Sequence, residues 1–391
     1  MIKILQFNLL LTVFLIPIIT PFQSYGYELS RILFFIFLTS LSGFLWLWLA
    51  HRKKIKLRWN KVKITSLIFV IILLFTSLLG IDPVFSLLGK EPYFQGWVIY
   101  VYLWLFSVMG ATTPIEPKKW IIALSLSSII VSFVAIRQFV EINFLGHFIP
   151  AYAGRVVSTF GQPNFYSGFL LLTLPFIPRK GWWPAVIGLN MVAIFLSESR
   201  AAMIILLLMV SWWFLAKFKN YPKKLFIPII LLVLLFFPLA LQPSIQTIFR
   251  QEQSNPESRY YIWPVMGKIA KENFFRGIGL ENIDIAWSNF FEKINWNSNR
   301  ISSDYNPFFY NLKDLVVDRA HIYFLDVLLF SGIIGLLGYI GLISIVFIKM
   351  KSKILISSLL IYLVWSQFQN QSIVHLIYFW LLVGLVDESS T

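Results

Sequence analysis

The sequence predicts an all-α polytopic membrane protein of about twelve transmembrane helices with one large, partly helical external loop. Three observations carry this. The 391-residue chain is 58% hydrophobic and only 13% charged, whereas a soluble globular chain is about a quarter charged. Its apolar residues come in long blocks, and a membrane helix needs roughly 20 of them to cross about 30 Å of hydrocarbon. Short basic stretches separate the blocks. An ordinary cytoplasmic enzyme, a disordered chain and a fibrous repeat are excluded together.

Taken in order, the expected spans are 4–20, 28–50, 64–80, 96–110, 120–140, 165–178, 182–196, 201–216, 225–240, 321–348, 354–367 and 373–386. The first resembles a signal-peptide core behind Lys3, but no small-x-small cleavage site follows it, so it reads as a membrane helix. Several spans are short, which tilt or local re-entry accommodates. With twelve spans the connections alternate sides. Those at 51–63, 111–119, 179–181, 217–224 and 349–353 share one side and hold many Lys and Arg but a single carboxylate, Glu116. That side is cytoplasmic by the positive-inside rule, and both termini fall there. The net charge of +15 therefore sets topology and does not mark a nucleic-acid surface. The chain has no cysteine, which removes disulfides and thiolate metal sites.

Three units result: helices 1–9 over 1–240, a periplasmic or extracellular loop over 241–320, and helices 10–12 with a cytoplasmic tail over 321–391. The loop carries nine basic and nine acidic residues and many Asn, Ser, Tyr, Phe and Trp, so it reads as a structured domain over the membrane rather than a linker. Asn255, Pro256 and Glu257 suit a helix start. Ile262, Val265, Met266 and Ile269 recur at helical spacing, although Pro264 interrupts that pattern.

Charges at the outer ends of spans need partners or a function, because an ionised group in hydrocarbon costs at least ~2.5–3.5 kcal/mol. Arg155, Arg200, Arg259, Arg319 and His321 all fall on the external side, with Arg137 near it. External positive charge opposes the topology bias and suits an anionic ligand, since the guanidinium fork matches phosphate oxygens. Each has a plainer reading. Arg200 pairs with Glu198 at the interface, Arg155 sits in a polar loop with Asn164 as a helix cap, and Arg259 lies on a solvated face. His321 is the one group there whose ordinary pKa allows proton exchange near neutrality. Asp318, three residues before it, faces it if the helix starts early, and Asp326 needs a partner one turn deeper.

Five stretches in this order resemble the O-antigen ligase and polymerase superfamily of bacterial envelope glycan transferases. They are Gly154–Asn164; Ser199-Arg200-Ala-Ala; Arg259 with Trp263; Gly277-Ile-Gly279; and Asp318-Arg-Ala-His321 followed by Leu325-Asp326 and Ser331-Gly332-Ile-Ile-Gly335. One departure is Ile322, where many members place Asn. The resemblance implies transfer of a glycan from a polyprenyl-diphosphate carrier to an acceptor hydroxyl on the external face, inverting, metal-independent and without a cofactor. It implies Arg200, Arg259 and His321 as catalytic residues, with Arg155, Asn164, Asp318 and Arg319 binding substrate. The acceptor is a lipid (ligase), a second glycan (polymerase) or a protein. Membrane lipids and envelope-assembly proteins are the further implied partners, and nucleic acid is not. Localisation in the cytoplasmic (inner) membrane follows, with the site facing the periplasm or exterior. A secondary transporter of envelope precursors is the alternative from another class, but no inverted repeat is evident and the large loop falls late in the chain. A non-catalytic assembly scaffold is the third reading.

Overall fold

The computed structural model describes residues 1–21, 26–146, 154–217, 259–293, 312 and 315–388, and among these no strand occurs. Helices α1 (Ile2–Leu15), α2 (Tyr27–His51) and α3 (Lys61–Leu78) take the first three apolar blocks. A short α4 (Pro83–Leu88) precedes α5 (Trp97–Thr112) and α6 (Pro117–Phe144). A 3-10 turn at Ser158–Phe160 leads into α7 (Pro163–Thr173), and α8 (Trp183–Leu196) and α9 (Arg200–Lys217) follow. Residues 259–293 supply α10 (Arg259–Glu272) and α11 (Ile283–Glu292). The chain closes with α12 (Tyr323–Lys349), α13 (Lys353–Trp365) and α14 (Ile373–Glu388). Local chemistry starts several of these. Asn60 accepts from the Lys63 amide at the head of α3, and Asp82 accepts from the Val84 and Phe85 amides at the head of α4, with Pro83 in its first turn. In α10 the expected apolar face, Ile262, Val265, Met266 and Ile269, is buried, and Pro264 is accommodated inside the helix.

Four helices, α2, α3, α6 and α12, are long and apolar enough to cross a membrane by length and composition. They make this an α-helical multi-pass membrane protein. The expected count of about twelve is not reproduced by that measure. The other expected spans fall on shorter helices, and 225–240 lies outside the described residues. Span 165–178 is corrected most. It is the 11-residue α7, ended by a 3-10 turn at Leu174–Phe176 that contains Pro175. Such a helix rises only about 16 Å, half the hydrocarbon thickness.

Burial explains the arrangement. α7 is buried along almost its whole length, and α14 is buried at every position from Ile373 to Val386. A helix apolar on all sides belongs inside. α14 packs against α5, α2, α7, α12 and α13, and Gly168 lets α7 approach so closely that an added Cβ would lie 2.3 Å from the Trp365 ring. At the periphery Leu33, Phe37, Leu41, Phe44 and Leu47 on α2, and Ile64, Ile68, Ile71, Phe75 and Leu78 on α3, form exposed stripes at helical spacing. Apolar stripes of this length facing no protein are lipid-facing surface.

The expected span 321–348 is also corrected, because α12 folds back on itself. Gly332 has φ 63° and ψ −169°, a conformation essentially reserved for glycine. Tyr339 contacts both Tyr323 (ring centroids 5.4 Å apart) and Phe324 (5.7 Å). In a straight helix residues 323 and 339 would be about 24 Å apart. The halves 323–331 and 333–349 therefore run antiparallel, with Gly332 at the tip. The tip docks on the loop between α10 and α11, where Ile278 and Gly279 donate to Leu329 O and Phe330 O, and Ile333 donates to Phe274 O. The same loop meets the end of α3, where the Ile81 amide donates to Ile278 O at 2.9 Å. The tip therefore lies beside the C-terminal end of α3, and Asp326 lies between His321 and the tip.

Candidate functional site

Two groups of the singled-out residues emerge. The first joins Gly154–Asn164 to the start of α9. Arg155 donates through Nε and Nη2 to Ser197 O at 3.2 and 2.7 Å, and its Nε lies 4.0 Å from the Glu198 carboxylate. Ser197 Oγ accepts from the Ser199 amide, Glu198 takes a positive φ of 53°, and Ser199 Oγ accepts from Ala202 at the head of α9. Arg200 then opens α9, exposed, with no hydrogen bond or ion pair among the described residues. Glu198 leans toward Arg155 and not, as its proximity in sequence suggested, toward Arg200. Arg200 is a cation at the positive end of a helix dipole, a clash that an anion there would relieve. Asn164 is not the cap of α7. Gln162 holds that position and Asn164 sits half-buried in the first turn.

The second group surrounds His321. Trp263 Nε1 donates to Ala320 O at 2.9 Å, and the Ala320 amide donates to Asp326 Oδ1 at 2.7 Å. The Tyr323 amide donates to Ser366 O at 3.0 Å, at the end of α13. Between these ties His321 has φ 61° and is half-buried. The helix begins only at Tyr323, so Asp318 and His321 do not share a helical turn. From the turn at His321 the chain runs through the helical half 323–331 to the reversal at Gly332. Backbone strain of this kind persists where surrounding contacts over-determine it.

Arg319 is placed differently from the expected anion ligand. It is 4% exposed, pairs with Glu281 at 2.5 Å, donates to Asp318 O, and lies over the Tyr93 and Phe330 rings. Burial alone would lower its pKa, but Glu281 and the neighbouring carboxylates outweigh this and hold the guanidinium firmly protonated. Burial pushes the half-buried Asp318 carboxyl above its ordinary range. Arg259 is the first residue of α10, one turn before Trp263. Arg137 is exposed and pairs with Glu141. The two groups approach through α13, which packs against α9 and supplies Ser366 to the His321 turn.

The sequence reading passed over a buried polar layer that connects these groups. Arg31 is fully buried, donates to Glu28 at 3.1 Å and to Thr159 O at 2.6 Å, and its guanidinium lies 4.5 Å from the Phe160 ring. Glu28 in turn accepts from the Ile373 amide at the head of α14. Gln95 donates to Gln371 O, Asn370 donates to Tyr93, and His375 bridges the Ser372 amide and Phe165 O. Two signals announce this layer. Glu28 and Arg31 are opposite charges one turn apart inside an apolar block, and Gln367–Ser372 is a polar run between the last two blocks.

No curated protein matches the chain. A family model described as O-Antigen ligase matches residues 185–340, a stretch that contains Arg200, Arg259, the tie from Trp263, the His321 turn and α12 as far as Ile340. The matched stretch is similar to the superfamily that the five sequence motifs resemble.

Proposed function

We propose that this protein transfers a glycan from a polyprenyl-diphosphate carrier to an acceptor hydroxyl on the external face of the membrane. The observation that carries the reading is His321, half-buried at a strained turn within the matched region.

The chemistry follows from the donor. Breaking the anomeric C–O bond gathers negative charge on the departing diphosphate and positive charge on the sugar ring. Fixed guanidinium groups stabilise the former most where water is scarce. Arg200, exposed and without an anionic partner among the described residues, suits that task, and Arg259 joins it in this reading. His321 takes the proton from the attacking hydroxyl. One displacement on the face opposite the diphosphate inverts the anomeric centre. Asn164, Asp318, Arg155 and Arg319 are the further residues that this reading assigns to the site. Arg155 and Arg319 already spend donors on Ser197 and Glu281, so they shape the site more than they grip the donor. Ligase, polymerase and protein-glycosylating activities share this scheme and differ in the acceptor.

The test is purified protein in detergent with a polyprenyl diphosphate bearing a fluorescent oligosaccharide. Lipid A–core, a second glycan-bearing donor or a Ser/Thr peptide is supplied as acceptor. The expected result is fluorophore transferred to one acceptor class with release of polyprenyl diphosphate. Absence of transfer to all three, together with movement of intact donor across proteoliposomes, favours the transporter reading.

A further inference from the structure

We propose that Asp326 is a positioning residue for His321, acting through the Ala320 amide. This rests on the reading of His321 as the base that serves the acceptor. Asp326 is 1% exposed, so it meets no acceptor itself. Its Oδ1 accepts the Ala320 N–H at 2.7 Å, a contact that reaches back from the first turn of α12 to the residue immediately before the histidine. Ala320 is held at its other end too, since its carbonyl accepts from Trp263. The far side of the turn is fixed by Tyr323 bonding to Ser366.

The need for such a clamp lies in the backbone. A left-handed conformation costs a non-glycine residue roughly 1–2 kcal/mol, so His321 leaves φ 61° unless its neighbours forbid it. The Asp326 oxygen satisfies a buried amide that would otherwise be left unpaired, which is costly in the interior. The tip of α12 cannot replace the clamp, because its bonds to 274–279 fix the reversal at Gly332 and not the turn at His321.

The experiment measures initial transfer rates with the fluorescent polyprenyl-diphosphate donor for D326A, D326N, W263F and H321A, and for D326A and W263F each combined with H321A. A displaced catalytic group costs about 10²-fold, so D326A should lose about that factor in kcat with donor KM unchanged. D326N keeps an oxygen for the Ala320 amide and should stay within about tenfold of wild type. In the H321A background D326A should add no further loss, because it acts through the missing imidazole. A merely structural defect would multiply with H321A. If D326A does not fold, W263F reads the same clamp and should lower kcat without adding to H321A. Wild-type kcat in D326A, or in W263F where D326A is unfolded, overturns the proposal, as does multiplication with H321A. Loss in H321A with none in the clamp variants leaves the functional reading standing and removes Asp326. Wild-type turnover in H321A removes both.

Discussion

At the scale of single residues, the arginines divide into those that are spent and those that are not. Arg31, Arg319 and Arg155 give their donors to Glu28 and Thr159, to Glu281, and to Ser197. Arg200 is exposed at the head of α9. A guanidinium holds a diphosphate through two parallel bonds, and an ammonium does not. Arg200→Lys should therefore lower turnover and weaken donor binding by about tenfold while the protein stays folded, since a charged hydrogen bond is worth about 1.5–3 kcal/mol. Donor binding and transfer by monodisperse protein measure this, and an unchanged lysine variant removes Arg200 from the site. The Glu28–Arg31 tie predicts the opposite signature. Glu28→Gln strands a buried cation, which costs about 3–5 kcal/mol, so it should lower thermal stability sharply. Wild-type stability would show that the tie is dispensable.

At the scale of elements, hydropathy found where helices run but not where they reverse. The apolar stretch after His321 has the composition of one long span, and α12 satisfies length and hydropathy together. Its reversal depends on one dihedral at Gly332 and on backbone bonds from residues 274–279. Neither leaves a periodic trace, although the glycines of Gly277-Ile-Gly279 and Ser331-Gly332 were both singled out. They prove to be partners, since an added Cβ on Gly332 would lie 2.3 Å from Phe275 O and one on Gly277 would lie 2.5 Å from Phe330 O. Gly332→Ala should destabilise the protein by about 2 kcal/mol or more, combining the forbidden φ with that clash. Thermal unfolding in detergent reads the loss. A variant as stable as wild type would mean the tip is not built as described. α7 shows the same limit of hydropathy, because its block is apolar enough for a span yet Pro175 and Pro178 leave it only half the length.

For the whole molecule, the all-α membrane architecture was legible because 58% hydrophobic residues in blocks leave few alternatives. The number of spans was not, since several blocks form helices too short to cross unaided. For the site, the sequence singled out His321 and Arg200 but could not show that Asp318 and His321 lie off the helix, or that Arg319 is buried against Glu281. Those facts depend on contacts between residues far apart in the chain. The topology itself is open to test, because the chain has no native cysteine. Lys56→Cys should react with a membrane-impermeant maleimide only from the cytoplasmic side, and Lys271→Cys only from outside. The reverse pattern would place His321 on the wrong face for a lipid-linked donor. The account stands most directly on the transfer rate of purified, folded His321→Ala with the fluorescent polyprenyl-diphosphate glycan. Removing a placed base should cut turnover by about 10²–10⁴-fold with donor affinity near wild type, and transfer at the wild-type rate would contradict the account.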